Sequence, residues 1–136
     1  MKSGKIILAV SVITFVLAAL IIPGPVRSQQ TGFKRTELQR HGLSTPGLEV
    51  VQVRVDIEPG VEYPRHTHPG EEIIYVLEGE LEYQVEGGAR VILKAGDPFF
   101  ISYGKIHTVR NTGSVKGVEL ATYIVEKGKP LVSVLK

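Results

Sequence analysis

The sequence predicts one all-β domain, a barrel or sandwich of short strands. Three observations predict it. Apolar and polar side chains alternate with a period of two in several stretches from Leu48 onward, Gly and Pro turns break the chain between those stretches, and helical periodicity is almost missing. About eight short strands at such spacing fit a β-sandwich or barrel. A chain of 136 residues is enough for one domain and too short for two with proper cores.

The first residues are set apart from that domain. In "MKSGKIILAVSVITFVLAALIIPGPVRSQQ", Lys2 and Lys5 precede an apolar run from Ile6 to Ile22, and Pro-Gly-Pro ends it. Small side chains at Val26 and Ser28 suit a signal-peptidase cut after Ser28, so export to a periplasm or secretion is expected. The run is near the lower limit for spanning a bilayer, which leaves an uncleaved membrane anchor at residues 6–22 as the alternative. The expected organisation is therefore a signal peptide or anchor at 1–28, an N-terminal extension at 29–47 and a β-barrel at 48–136.

Within the extension, "FKRTELQRHG" is the one segment with a weak helical pattern. The barrel region opens with "LEVVQVRVDI", where Val51, Val53, Val55 and Ile57 share one face, and Pro59-Gly60 ends the strand. "ELEYQVE" alternates again, placing Leu81, Tyr83 and Val85 together. Gly87-Gly88 turns that strand into "ARVILK", and Ala95-Gly96-Asp97-Pro98 is the next turn. Further strands are expected at Phe99–Ile101, His107–Arg110, Val118–Val125 and Leu131–Val134, with Asn111-Thr112-Gly113 as a turn.

Charge and composition narrow the function classes. Sixteen Lys and Arg face fourteen Asp and Glu, but Lys2, Lys5 and Arg27 would leave with the signal, so thirteen basic residues remain against fourteen acidic ones. No basic face is left to argue for nucleic acid. The chain has no cysteine, which excludes disulfides, a thiolate nucleophile and thiolate ligands. A small exported domain without disulfides must be held by its core, by oligomerisation or by a metal.

The stretch "PGVEYPRHTHPGEE" carries the chemistry. On a strand, residues i and i+2 share a face, so His66 and His68 can chelate one ion. Such a pair also fits a solvated strand face, and Glu71 and Glu72 beside Pro-Gly fit a solvated turn. A third histidine, His107, opens a later strand, and strands of a small barrel aim side chains into one interior. Three of the four histidines at strand starts read as a metal site; His41 in "QRHGLS" has no partner nearby and reads as surface.

These residues also carry a resemblance. Gly60, five residues, His66-Thr67-His68, three residues, Glu72, six residues and Gly79 match the first motif of the cupin superfamily. Gly96, five residues, Ser102-Tyr103-Gly104, two residues, His107, three residues and Asn111 match its second motif, except that Ser102 stands where the family has proline. The chain thus resembles a small single-domain cupin of the quercetinase-like kind. The resemblance implies a double-stranded β-helix, or jelly-roll barrel, and one divalent metal held by His66, His68, Glu72 and His107. It also picks Glu72 over Glu71, which alternation in the two-sided apolar strand "EEIIYVLE" leaves open.

Nitrogen and oxygen ligands without sulfur suit Fe, Mn, Co, Ni, Zn or Cu. A six-coordinate ion with four protein ligands keeps two positions for exchange. A metal-dependent dioxygenase acting on a small oxygenated organic molecule is the leading reading. An isomerase or lyase using the ion as Lewis acid, and a non-catalytic ligand-binding cupin, are the alternatives. Tyr83 has inward parity and is expected to line the pocket, with one of the adjacent phenylalanines, Phe100 being the candidate. Asn111 is expected to cap a turn; Tyr63, Arg65 and Glu71 lie near the barrel mouth as surface. Apolar residues on both parities of "IIYVL" call for an outer face covered by another sheet or a second subunit, and with the pairing that the resemblance to small cupins implies, a homodimer is expected.

Overall fold

The computed structural model describes residues 30–136; the expected signal or anchor segment lies outside them. Ten strands run in order: β1 (Phe33–Gly42), β2 (Leu48–Ile57), β3 (Glu62–Thr67), β4 (Gly70–Glu78), β5 (Glu80–Val85), β6 (Arg90–Lys94), β7 (Pro98–Ile101), β8 (His107–Asn111), β9 (Gly117–Glu126) and β10 (Ser133–Val134). Every pairing is antiparallel, in two five-stranded sheets ordered β1-β2-β9-β4-β7 and β10-β3-β8-β5-β6. This is the expected all-β jelly-roll architecture, and no described residue is helical. No described helix is long and apolar enough to cross a membrane.

The weakly helical "FKRTELQRHG" is a strand, which corrects the sequence reading. Its ten residues extend the first sheet by pairing with β2 from Phe33↔Ile57 to Gly42↔Glu49. A full ladder of tertiary hydrogen bonds outweighs the few tenths of a kcal/mol per residue that separate most helix propensities. Within the expected extension, Phe33–Gly42 thereby supplies an edge strand to the barrel.

Period-two alternation fixes which side chains meet inside. In the first sheet Val51, Tyr123, Glu72 and Ile101 form one cross-strand row. Val53, Ala121, Ile74 and Phe99 form the next, and Val55, Glu119 and Val76 a third. The facing sheet contributes the rows His66, His107, Val85 and Tyr63, Val109, Tyr83. The valines, Ile74, Tyr83 and Tyr123 form one buried cluster. Polar residues in these rows are therefore immersed in an apolar core, where an unpaired group costs roughly 1–3 kcal/mol.

Two irregularities shape the site. Tyr63 and His66 are three residues apart, yet they oppose Val109 and His107, which are two apart. The extra residue is a bulge at Pro64-Arg65, where proline has no ladder N–H to lose. It turns both Tyr63 and His66 inward. Between His68 and Glu72, Gly70 lets β4 pass close to β9: a Cβ there would lie 2.0 Å from the Ile124 carbonyl oxygen.

Asn111, expected to cap a turn, does more than that. Fully buried, it donates from Nδ2 to the carbonyls of Ile57 and Val115, both at 2.8 Å, and its Oδ1 accepts from the Gly113 amide at 2.9 Å. One side chain ties the end of β8 to β2 and to the following turn. Asn111→Ala is expected to cost about 2–4 kcal/mol by leaving those buried groups without this partner. Urea unfolding tests it, with the midpoint falling and the slope unchanged.

Candidate metal centre

The structure brings His66, His68 and His107 together. They are 2%, 4% and 2% exposed, and one ring nitrogen of each lies within 4.8 Å of the others. Their ring centroids are 4.1–5.2 Å apart. Two nitrogens bound to one ion at about 2.1 Å can be at most about 4.2 Å apart. Only one pair of the three can lie opposite across an ion, so to share a cation the triad would draw in to about 3–3.5 Å between neighbouring nitrogens.

Backbone carbonyls decide which nitrogen faces the centre. His66 Nδ1 meets Pro64 O at 2.8 Å, His68 Nδ1 meets Leu131 O at 2.6 Å, and His107 Nδ1 meets Lys105 O at 2.9 Å. A carbonyl only accepts, so each Nδ1 carries the proton and donates. Each neutral ring then presents a bare lone pair at Nε2. This is how proteins orient imidazoles for metals.

Glu72 stands among these lone pairs, on the β4 position paired with Tyr123 of β9. Its Oε2 is 3.3 Å from His68 Nε2 and 3.1 Å from His107 Nε2, yet none of these three buried atoms has a hydrogen-bond partner. Acceptors face acceptors with no proton between them. Ligands at right angles on an ion with bonds of about 2.1 Å sit about 3 Å apart, so these separations suit a shared cation. Glu71 is partly exposed, with the opposite parity, and His41 is exposed on β1.

Electrostatics agree with a deprotonated site. Burial, reinforced by His107 and His68, pushes His66 down to about 3, so it is neutral at physiological pH. Three neutral imidazoles and one carboxylate can hold a divalent ion, leaving the assembly with one positive charge. The orphaned Nε2 and Oε2 atoms fit such an ion.

The pocket residues differ in part from expectation. Tyr83 is buried as its parity requires, and its hydroxyl donates to Glu119 Oε2 at 2.5 Å. Phe100, the expected pocket phenylalanine, is 57% exposed; Phe99 meets Tyr83 instead, at 5.5 Å between ring centroids. The reason is register: Phe99 pairs with inward Ile74, and Phe100 with outward Ile73. Asn111 stays out of the site, and Arg65 is exposed, paired with Glu86 at 2.7 Å.

Two site neighbours escaped the sequence reading, and a third, Tyr63, was read as surface at the barrel mouth but packs inward against the core. Tyr123 packs on His68 at 4.6 Å, and Tyr63 meets His66 edge-on at 4.8 Å. Glu119 is 2% exposed. Its parity with Ala121, Tyr123 and Val125 in "VELATYIV" was the available signal for a core carboxyl. Pro64 was the signal for the bulge that turns Tyr63 inward.

Burial, then repulsion from Glu72, lifts Glu119 from 4.5 to about 8. Its folded value lies above its unfolded one, so the native chain holds the extra proton between those limits. The stability this group contributes falls as pH rises through that window. Glu119→Gln removes that fall. In chelated protein, the wild-type minus variant Tm is therefore expected to be larger at pH 5 than at pH 8; equal differences contradict it.

Comparison with known proteins follows the same lines. A family model described as "Cupin domain" matches residues 53–124, more than half of the chain. A germin-like protein, subfamily 2 member 1, from Arabidopsis thaliana is 35% identical over 89 residues, 60% of this chain and 41% of its own. A solved structure of an oxalate oxidase in complex with the substrate analogue glycolate superposes with a TM-score of 0.64 and 27% identity, over 79% of this chain and 57% of its own. The DMSP lyase DddQ from Ruegeria pomeroyi DSS-3 gives 0.57 and 29%, over 62% and 42%. The chain thus spans only about two fifths to three fifths of the length of these relatives. With its two facing antiparallel sheets and the match across its central strands, the chain belongs to the cupin superfamily.

Proposed function

We propose that this chain is an exported, metal-dependent enzyme of dioxygenase type, acting on a small oxygenated organic molecule. His66, His68, Glu72 and His107 hold its one divalent transition metal, drawn from Fe, Mn, Ni, Zn, Co and Cu. The observation that carries the reading is the set of buried acceptor atoms, at His68 Nε2, His107 Nε2 and Glu72 Oε2, converging without a donor. A bound ion supplies Lewis acidity, exchangeable positions and, for a redox-active metal, chemistry with oxygen. The likeness to an oxalate oxidase supports an oxidative reaction.

The chain's own groups do the rest. The carbonyls of Pro64, Leu131 and Lys105 hold the imidazoles in one tautomer. The apolar rows of Val51, Val53, Ala121 and Ile74 keep bulk water out, and Tyr83 keeps its proton on a hydroxyl pointed at Glu119. This proton-bearing pair, with the likeness to a DMSP lyase, favours the second reading, a lyase or isomerase that needs an acid or base and no oxygen. The apolar leader supports export, to a periplasm or the exterior, with anchorage by residues 6–22 as the alternative.

The proposed partner is a second copy of the chain. Ile73, Tyr75 and Phe100 are 42%, 47% and 57% exposed on the outer face of β4 and β7, where Ile73 pairs with Phe100. Burying such a patch stabilises at about 25 cal/mol per Å². Light scattering is expected to give a dimer, and a clean monomer contradicts it.

His66→Ala and His107→Ala are expected to lose most bound metal by elemental analysis, while His41→Ala keeps it. Equal loss in all three would remove the assignment. Chelation is expected to lower Tm, because an ion bound only by the native state stabilises it by mass action. An oxygen electrode with Fe(II)-loaded protein and a panel of catechol, flavonol and diketone substrates tests the reaction. Consumption supports the oxidative reading, anaerobic turnover supports the lyase or isomerase, and neither leaves a binding protein.

A further inference from the structure

Beside the metal centre, on the far side of the Tyr63 ring, lies an open cleft of about 560 Å³ between β1 and the C-terminal segment. That volume is in the range of small-molecule sites. Leu131, Val132 and Val134 give it an apolar wall. Phe33 and Tyr63 give it a second, their rings stacked at 4.3 Å.

Two arginines line it, in different states. Arg40 is spoken for: it donates to both oxygens of Glu37 and, at 2.5 Å, to Glu49. Arg35 makes no hydrogen bond and no close ion pair among the described residues, feeling the buried Glu119 only at longer range, and its Nε is buried without a partner. Its guanidinium lies over the rings of Tyr63 and Phe33, 4.3 and 4.9 Å from their centroids. Stacking holds the plane of the fork while satisfying none of its N–H groups. A half-buried guanidinium left unpaired costs stability unless something else pairs it.

A carboxylate answers that deficit, because it accepts two parallel N–H bonds from the fork. The two apolar walls call for a hydrophobic body attached to it. We infer that this cleft binds an amphiphilic organic carboxylate, with its carboxylate on Arg35 and its apolar part between the Phe33–Tyr63 stack and the Leu131–Val134 wall. The site stands apart from the metal assignment. It adjoins the metal centre through three residues: Tyr63 touches both the guanidinium and His66, and Pro64 and Leu131, whose carbonyls hold His66 and His68, also line the cleft, so a bound acid sits at the edge of that centre.

Isothermal titration of the full chain, stripped with chelator so that no metal can take the probe, tests this with 2-naphthoate and its uncharged counterpart 2-naphthamide. Naphthoate is expected to saturate one site per chain, at least about tenfold more tightly than the amide. Arg35→Gln brings naphthoate down to the level of the amide and leaves the amide unchanged. Arg65→Gln, outside the cleft, changes neither. Arg35→Lys keeps the charge but not the fork and weakens naphthoate several-fold, which serves if the glutamine variant does not fold. Equal affinity for the two probes, undiminished naphthoate binding without Arg35, or no saturable binding, as when a second copy covers the cleft, overturns the inference.

Discussion

Three hydrogen bonds from imidazole Nδ1–H groups to main-chain carbonyls set the character of this molecule. They are modest individually, about 1 kcal/mol each. Their larger effect is directional. By fixing the tautomer they force three lone pairs inward, towards a carboxylate that also has only lone pairs to offer. A barrel interior that excludes water cannot relieve this from solvent, and among the described residues His68 Nε2, His107 Nε2 and Glu72 Oε2 have no hydrogen-bond partner.

The fold can impose that geometry because the site draws on both sheets. His66 and His107 are in-register partners in one sheet, and Glu72 is locked between β7 and β9 in the other. Gly70 allows the close strand passage that puts His68 beside Glu72, and the β3 bulge rotates His66 into line. Around them the rows are almost wholly apolar, which lowers screening and strengthens every electrostatic interaction within. The buried Tyr83–Glu119 pair lies in that same dry interior, two rows from Glu72 along β4, where Glu119 opposes Val76. The proton-sharing pair and the candidate metal ligands thus lie two rows apart in one core.

Much of this was legible in the chain, for physical reasons. Strand alternation is a local property, so the inward faces of β2 and β5 followed directly from their residues. The three histidines were legible because ligand chemistry restricts both residue type and spacing, whereas Glu72 was told from Glu71 only by the resemblance to the cupin motif. Elements whose conformation depends on distant partners were less legible. The helical look of Phe33–Gly42 yielded to pairing with β2. Phe99 and Phe100 could not be told apart until β7 had a register against β4. Arg35 was invisible as a feature, because being unpaired is a property of its surroundings.

X-ray absorption at the metal edge, on protein isolated from its own compartment, tests the central claim most directly. One ion per chain is predicted, with a nitrogen and oxygen shell at about 2.0–2.2 Å and the outer-shell scattering of three imidazoles. A stoichiometric absence of metal, or an ion whose shell contains no imidazole, would contradict it.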